Sequence, residues 1–299
     1  MEKFKLTRRS FKEMAVAYLF LLPLFTGIVL FFIIPIFQSF FYSLTDWRGV
    51  GAAKFIGIGN FSKLFSSDEV FGLEFKNTVV FVIGYVPATI FISLVISNLL
   101  NTKIKGVSAY RIIYFLPNVV MGVVTAMVWR WILNSQFGIV DAVLNALFGI
   151  RPAWLSDTKL TMLSMCMIAV WASLGYCVVI ILSGLQGISP TYYEAATIDG
   201  ANGLQLFWHI TFPLVSPTLF FLLITRTIVA FNQFDLVYML SGGEGPIQRS
   251  LRTMVFGIYQ SGFQEFSMGY ACAKAVVLFC IIMIITLFQF IGEKHWVNY

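Results

Sequence analysis

The tightest constraint in this sequence is the recurrence of apolar runs long enough to cross a lipid bilayer. A helix rises about 1.5 Å per residue and the hydrocarbon core is about 30 Å thick, so roughly 20 apolar residues make one crossing. Six stretches reach that length, over 15–44, 77–100, 112–133, 160–185, 211–234 and 270–291. Composition agrees, because 59% hydrophobic with only 11% charged residues lies outside the range of a soluble domain. A soluble chain of 299 residues suggests about two domains, whereas a polytopic bundle of this size forms one. The expectation is an all-α membrane protein with a single six-helix domain over 15–291, between short tails at 1–14 and 292–299. The first run exceeds the apolar core of a signal peptide and lacks a small-residue cleavage site, so it is expected to stay in the mature chain.

The formal charge of +6 reads as topology, since the basic residues sit in short tracts beside the spans, and no nucleic-acid partner is expected. Lys3, Lys5, Arg8, Arg9 and Lys12 place the N-terminus in the cytoplasm. Counting crossings puts Lys103, Lys105 and Arg111 inside, and Lys294 with them, so both termini are expected to be cytoplasmic. The outer segments 45–76, 134–159 and 235–269 are longer and less densely basic. Cys166, Cys177, Cys272 and Cys280 fall in apolar runs without metal-ligand spacing and read as small buried hydrophobes. His209 and His295 are isolated, so no metal site is expected.

Between the fourth and fifth spans lies a polar segment of about 189–213. Ser189-Pro190 is a helix start, with a capping hydroxyl and a proline at the first helical position. A helix to about Asp199 follows, Gly200 can end it in the left-handed conformation, and Asn202 can cap a second helix to about Ile210. Pro213 then stands at the entrance of the fifth span. The product is two short helices set at an angle, too polar to span and held at both ends by membrane helices. Glu194 is placed for a charge-assisted hydrogen bond to a partner, Ala195, Ala196 and Ala201 permit close approach, and Phe207 can anchor the hairpin.

Glu194, Ala195, Ala196, Asp199, Gly200, Ala201, Phe207, Ile210, Pro213 and Pro217 together resemble the EAA loop of ABC importer permeases. The likeness extends over roughly the whole chain. Arg111-Ile112-Ile113-Tyr114-Phe115-Leu116-Pro117, Val128-Trp129-Arg130-Trp131, and Phe231 to Leu240 followed by Ser241-Gly242-Gly243 are similar to the carbohydrate-uptake branch, the maltose-type, oligosaccharide and glycerol-phosphate importers. This resemblance implies the type I ABC importer permease architecture in a bacterial plasma membrane. It also implies a second, distinct permease subunit, two ATP-binding subunits docked on the hairpin, an extracytoplasmic solute-binding protein and a sugar substrate. ATP and Mg would then be held by the partner ATPase, and this chain is expected to bind no cofactor itself.

Ionisable groups inside a membrane default to functional hypotheses. Arg226 lies near the middle of the fifth span and Lys274 in the outer third of the sixth, and both depart from the small, polar or apolar residues usual there in the sugar-permease branch. Two cations beside one pathway favour an acidic sugar; the alternative is that each pairs with a carbonyl or an acid. Asn118, Trp171, Ser173, Tyr176, Asn232, Gln233 and Asp235 complete the candidate sugar contacts by depth. Gln233 and Arg226 are seven positions apart and therefore face roughly the same way on a helix, which makes that pair the leading expectation for solute contact. Arg130, between two tryptophans, reads as a snorkelling interfacial residue. No Walker motif, paired acids or nucleophile elbow occurs, and the glycine-rich stretch 241–246 lacks the Gly-Lys-Ser/Thr of a phosphate loop, so the chain is not expected to be an enzyme. A self-contained secondary carrier is the competing reading, and it calls for intramembrane carboxylates that are missing here.

Overall fold

The computed structural model describes the backbone of residues 8–101, 107–241 and 245–297, with side chains at 13–101, 112–241 and 245–297. Lys3, Lys5, Lys103, Lys105, Gly242 and Gly243, and the side chains of Arg8, Arg9, Lys12 and Arg111, lie outside the described residues. Among the described residues every regular element is helical, apart from one antiparallel bridge between Thr45 and Phe55. A bilayer offers no water to backbone groups, and a helix satisfies its own.

The first apolar run folds as α1 (Arg8–Ile28), a π turn (Val29–Ile33) and α2 (Ile34–Ser43). A short α3 (Gly59–Ser66) precedes α4 (Glu69–Leu100), whose first turn is capped by Asp68. Then come α5 (Val107–Val119), α6 (Gly122–Ile132), α7 (Ile139–Phe148) and the long α8 (Thr158–Gln186). The hairpin supplies α9 (Pro190–Ile198) and α10 (Gly203–Leu206), after which a second π turn (Phe207–Thr211) leads into α11 (Phe212–Phe231). Three short helices, α12 (Asp235–Leu240), α13 (Pro246–Leu251) and α14 (Met254–Tyr259), precede a third π turn (Gln260–Gln264) and α15 (Met268–Glu293).

Five continuous helical runs are long and apolar enough to span: Glu13–Ser43, Glu69–Leu100, Thr158–Gln186, Gly203–Phe231 and Met268–Glu293. The stretch expected as one further straight span is instead broken, with α5 and α6 bent by 108°. Pro117 has no N–H to return to the carbonyl four residues back, and Met121 is extended at φ −57°, ψ 139°. The new N-terminus at Gly122 is met by Asp235, whose Oδ2 would lie 3.0 Å from a β-carbon placed on that glycine. A carboxylate there offsets the positive end of α6.

The chain divides into two compact units, Met1–Ser66 with Ser261–Val276, and Ser67–Gln260 with Val277–Tyr299. In the first, Asn60 donates to the carbonyls of Ser43 (2.8 Å) and Thr45 (2.9 Å), and Gly269 N–H donates to the Trp47 carbonyl (2.8 Å). Tyr42 stacks on Trp47 at 4.2 Å between centroids. Along the run Glu13–Ser43 the large apolar side chains, including Phe20, Phe31 and Phe37, are exposed, as expected of a helix that meets lipid or another chain.

In the second unit, Phe81, Tyr85 and Val86 of α4 pack against Met165, Ile168 and Ala169 of α8. α5 crosses α8 closely at Gly175, where any β-carbon would overlap the backbone of Tyr114 and Phe115. Small residues at such points let membrane helices touch through their backbones. The stretch after α11 folds back into the unit, burying Leu236, Val237, Leu240, Leu251, Met254 and Phe256. It is fastened to α4. Arg252 Nε donates to Glu74 Oε1 (2.7 Å), Asn77 Nδ2 to the carbonyls of Arg249 (2.9 Å) and Arg252 (3.1 Å), and Met254 N–H to Thr78 Oγ1 (3.0 Å).

Candidate functional site

The hairpin forms because each of its ends is written in local chemistry. Ser189 caps α9, and Asp199 closes it with an N–H to the Ala195 carbonyl (3.0 Å). Gly200 then takes φ +83°, which only glycine adopts without strain. With Gly200 N–H on the Thr197 carbonyl (3.1 Å) and Ala201 N–H on the Ala196 carbonyl (2.9 Å), this is a Schellman stop. Asn202 starts the second arm in a full capping box. Its side chain accepts from Leu204 and Gln205 N–H, while Gln205 Oε1 accepts the Asn202 N–H at 2.8 Å.

The second arm differs from the separate short helix expected to about Ile210. After Leu206 the backbone widens into the π turn and continues directly into α11, with Phe212 N–H on the Phe207 carbonyl. Pro213 falls in the first turn of α11 and brings no N–H to the ladder, which is why the chain passes it with a wider turn and no break. The arms are tied by Tyr193 Oη and Thr211 Oγ1 at 3.1 Å. Phe207 is half-buried against the Leu185, Val215 and Leu219 cluster and meets Trp208 edge-on at 5.3 Å, so it anchors the hairpin to α8 and α11. Glu194, Ala195, Asp199 and Gly200 are exposed, and Ala196 and Ala201 half-buried. Tyr192, Ile198, Leu204 and Trp208 expose large apolar surface on the same hairpin, Ile198 at 86%.

In the spans, the structure brings together Arg226 of α11 and Tyr176 of α8, the guanidinium lying 4.5 Å from the ring centroid. The ring face attracts the cation by about 2 kcal/mol where water is excluded. It leaves the edge of the guanidinium free: no carboxylate pairs with Arg226 among the described residues, and its buried Nε has no hydrogen-bond acceptor. Leaving such a donor unsatisfied costs about 1–3 kcal/mol, which an arriving anion would recover.

The other candidates are dispersed. Ser173 shares a 2.7 Å hydrogen bond with Tyr85 Oη, and Trp171 meets Trp129 edge-on at 5.4 Å. Asn118 is exposed next to the α5–α6 break, and Asp235 stands at the start of α6. Gln233 does not share a helical face with Arg226, because α11 ends at Phe231. Asn232 turns its amide back onto the Ile228 carbonyl (2.8 Å), and the Gln233 carbonyl accepts from Thr253 Oγ1 (3.2 Å). Lys274 belongs to the other compact unit, where it is 2% exposed and lies 5.3 Å from the Tyr270 ring centroid. Sequence reasoning missed Tyr193, Gln205, Ile198 and Leu204. A glutamine three residues after a capping asparagine was the available signal for Gln205.

A family model described as "Binding-protein-dependent transport system inner membrane component" matches residues 107–296. Among curated proteins, the chain is 35% identical to the probable ABC transporter permease protein YesP of Bacillus subtilis, over 99% of this chain and 96% of that one. It is 32% identical to the sn-glycerol-3-phosphate transport system permease protein UgpA of Agrobacterium fabrum, over 97% and 98% of the two chains. Among solved structures, a chain of a bacterial alginate ABC transporter in complex with alginate pentasaccharide-bound periplasmic protein superposes with a TM-score of 0.84 at 22% identity, covering 97% of this chain and 98% of that one.

Proposed function

This chain belongs to the family of binding-protein-dependent transport system inner membrane components, and from that membership we infer that it forms half of the solute pathway of an ATP-driven sugar importer. The observation that carries the reading is that the second arm of the hairpin and the membrane cation occupy one continuous helical run, Gly203–Phe231. A push on the exposed hairpin is therefore delivered to the helix that bears Arg226. The hairpin docks on a separate ATPase, which holds ATP and Mg. Ile198 and Leu204 enter its groove, and Glu194 sets the register. A second, distinct permease covers the remaining apolar surface, and a solute-binding protein delivers sugar from outside. Both termini lie in the cytoplasm of a bacterial cell.

Alternating access follows if ATP-driven closure of the two ATPase subunits favours one arrangement of the hairpin, since a ligand shifts a conformational equilibrium only by its differential affinity for the two states. The solute preference is for acidic sugars. Arg226 stands over Tyr176 with Nε free to donate, and the solutes named for two similar systems, glycerol phosphate and the acidic polysaccharide alginate, are anionic. Dependence on a binding protein sets aside the self-contained carrier.

The test is uptake of neutral and acidic oligosaccharides into proteoliposomes holding this chain with its co-expressed neighbours. Uptake is expected to require ATP and to be lost when Glu194→Lys is combined with Gly200→Pro. Arg226→Gln is expected to lower uptake of acidic sugars about tenfold and of neutral ones little. Uptake that needs no ATPase and ignores the hairpin changes overturns the importer reading. An unchanged acidic-to-neutral ratio in Arg226→Gln removes the charge preference.

A further inference from the structure

A polar cavity of about 200 Å³ lies in the same compact unit as Arg226 but is built from other elements. Its polar lining comes from the end of α6 and the turn after it (Arg130, Asn134, Ser135), the turn before α8 (Ser156) and the end of α12 (Ser241). Leu133, Leu155, Leu240 and Ile247 supply the remaining wall. The expectation that Arg130 merely snorkels does not account for this convergence.

The hydrogen-bonding capacity left over is the kind a sugar uses. Asn134 Oδ1 is occupied by the N–H groups of Gln136 (2.8 Å) and Phe137 (3.3 Å), which leaves its amide hydrogens to donate. Ser241 Oγ donates to the Tyr238 carbonyl at 3.1 Å and keeps its lone pairs to accept. Arg130 makes no ion pair among the described residues, so its planar fork is free for a carboxylate. The aliphatic wall suits the C–H face of a pyranose ring.

The site is also held in place. Trp154, two residues before Ser156, donates from its indole to Asp141 Oδ1 (2.9 Å), and its carbonyl accepts from Ser164 Oγ (3.0 Å). Leu133 and Leu240 are 1% and 3% exposed, so the floor belongs to the core. At this volume, below the roughly 300–1,000 Å³ of sites that enclose drug-sized ligands, the cavity suits one sugar ring and not a chain.

We propose that this cavity is an entry subsite for one residue of the incoming oligosaccharide, with Arg130 clamping the carboxylate of an acidic sugar. The assignment rests on the sugar-import reading and deepens it. Arg130 and the serines then select the solute before it meets Arg226.

The experiment uses the complete transporter in proteoliposomes of zwitterionic lipid, with binding protein at saturation. Arg130→Gln is expected to reduce uptake of a uronate oligosaccharide about tenfold and of its neutral analogue less than twofold, and Ser156→Phe to reduce both. Protection of Ser156→Cys from a charged maleimide by a uronate disaccharide, and not by a neutral disaccharide, is the second measurement. It reads the cavity whether or not the other variants assemble. Unchanged uptake in both variants while wild type transports, or no protection by uronate, overturns the subsite alone. So does an Arg130 effect that follows the charge of the lipid, since the group bound is then a headgroup. A wild-type complex that imports no sugar overturns the import reading and the subsite with it.

Discussion

Glu74 is the residue whose removal the structure makes most consequential for the architecture. Its side chain is fully buried, and Arg252, which ion-pairs with it at 2.7 Å, is 12% exposed. At an effective dielectric of about 20, unit charges about 4 Å apart attract by roughly 4 kcal/mol, and both partners are already desolvated. Glu74→Gln therefore leaves a largely buried guanidinium without its counter-charge, a loss of about 3–5 kcal/mol. Replacing both partners, as Glu74→Gln with Arg252→Met, removes the orphan charge and is expected to recover more than half of that loss, because neutral pairs of similar volume are tolerated where a half-pair is not. The assay is retention of the assembled complex in nanodiscs after heating, followed by size exclusion. The expected order of midpoints is wild type, then the double variant, then Glu74→Gln well below both. Equal midpoints for the single and double variants, or a single variant as stable as wild type, would refute the view that the buried pair fastens the 246–254 segment to α4.

Two further outcomes follow from local geometry. Gly175→Leu places a side chain where the backbone of Tyr114 and Phe115 already stands, so the α5–α8 crossing must separate; the expected result is a variant that inserts into the membrane but fails to co-purify with its partners. Asn202→Ala removes an acceptor for two N–H groups at the start of α10 and is expected to cost about 1 kcal/mol of hairpin stability. Because the arm frays without detaching, binding-protein-stimulated ATP hydrolysis should fall severalfold while ATPase co-purification persists.

The long spans were legible because one physical quantity, apolar length against bilayer thickness, decides them. The caps were legible for a similar reason. Ser189, Gly200 and Asn202 each act on backbone groups within a few residues, so their effect is local and readable. The break between α5 and α6 was not, because 112–133 has the apolar content of a span and a proline such as Pro117 is tolerated inside membrane helices, so nothing in the apolar pattern marks the extended backbone at Met121. Gln233 failed as a partner for Arg226 since periodicity assumes that a helix continues, and Asn232 ends this one. Tyr176 stands out by its depth and Arg226 as a charge inside a span, but their pairing depends on how α8 and α11 cross, a long-range property with no signature in either span. The Arg130 cavity gathers residues from four separated stretches, and its serines look ordinary in each.

The π turn at Phe207–Thr211 carries one residue more than an α-helical turn would use. Each residue advances a helix by about 100°, so that single extra position sets the azimuth of everything after it. Had the ladder run on in α-helical register, the side chain facing Tyr176 would be a neighbour of Arg226 in sequence and not Arg226 itself. A shortening of the 207–211 segment by one residue would leave composition, hydropathy and span length almost untouched, yet turn the cation toward a different wall. The wall that Arg226 faces is thus indexed by a backbone phase defined at the hairpin.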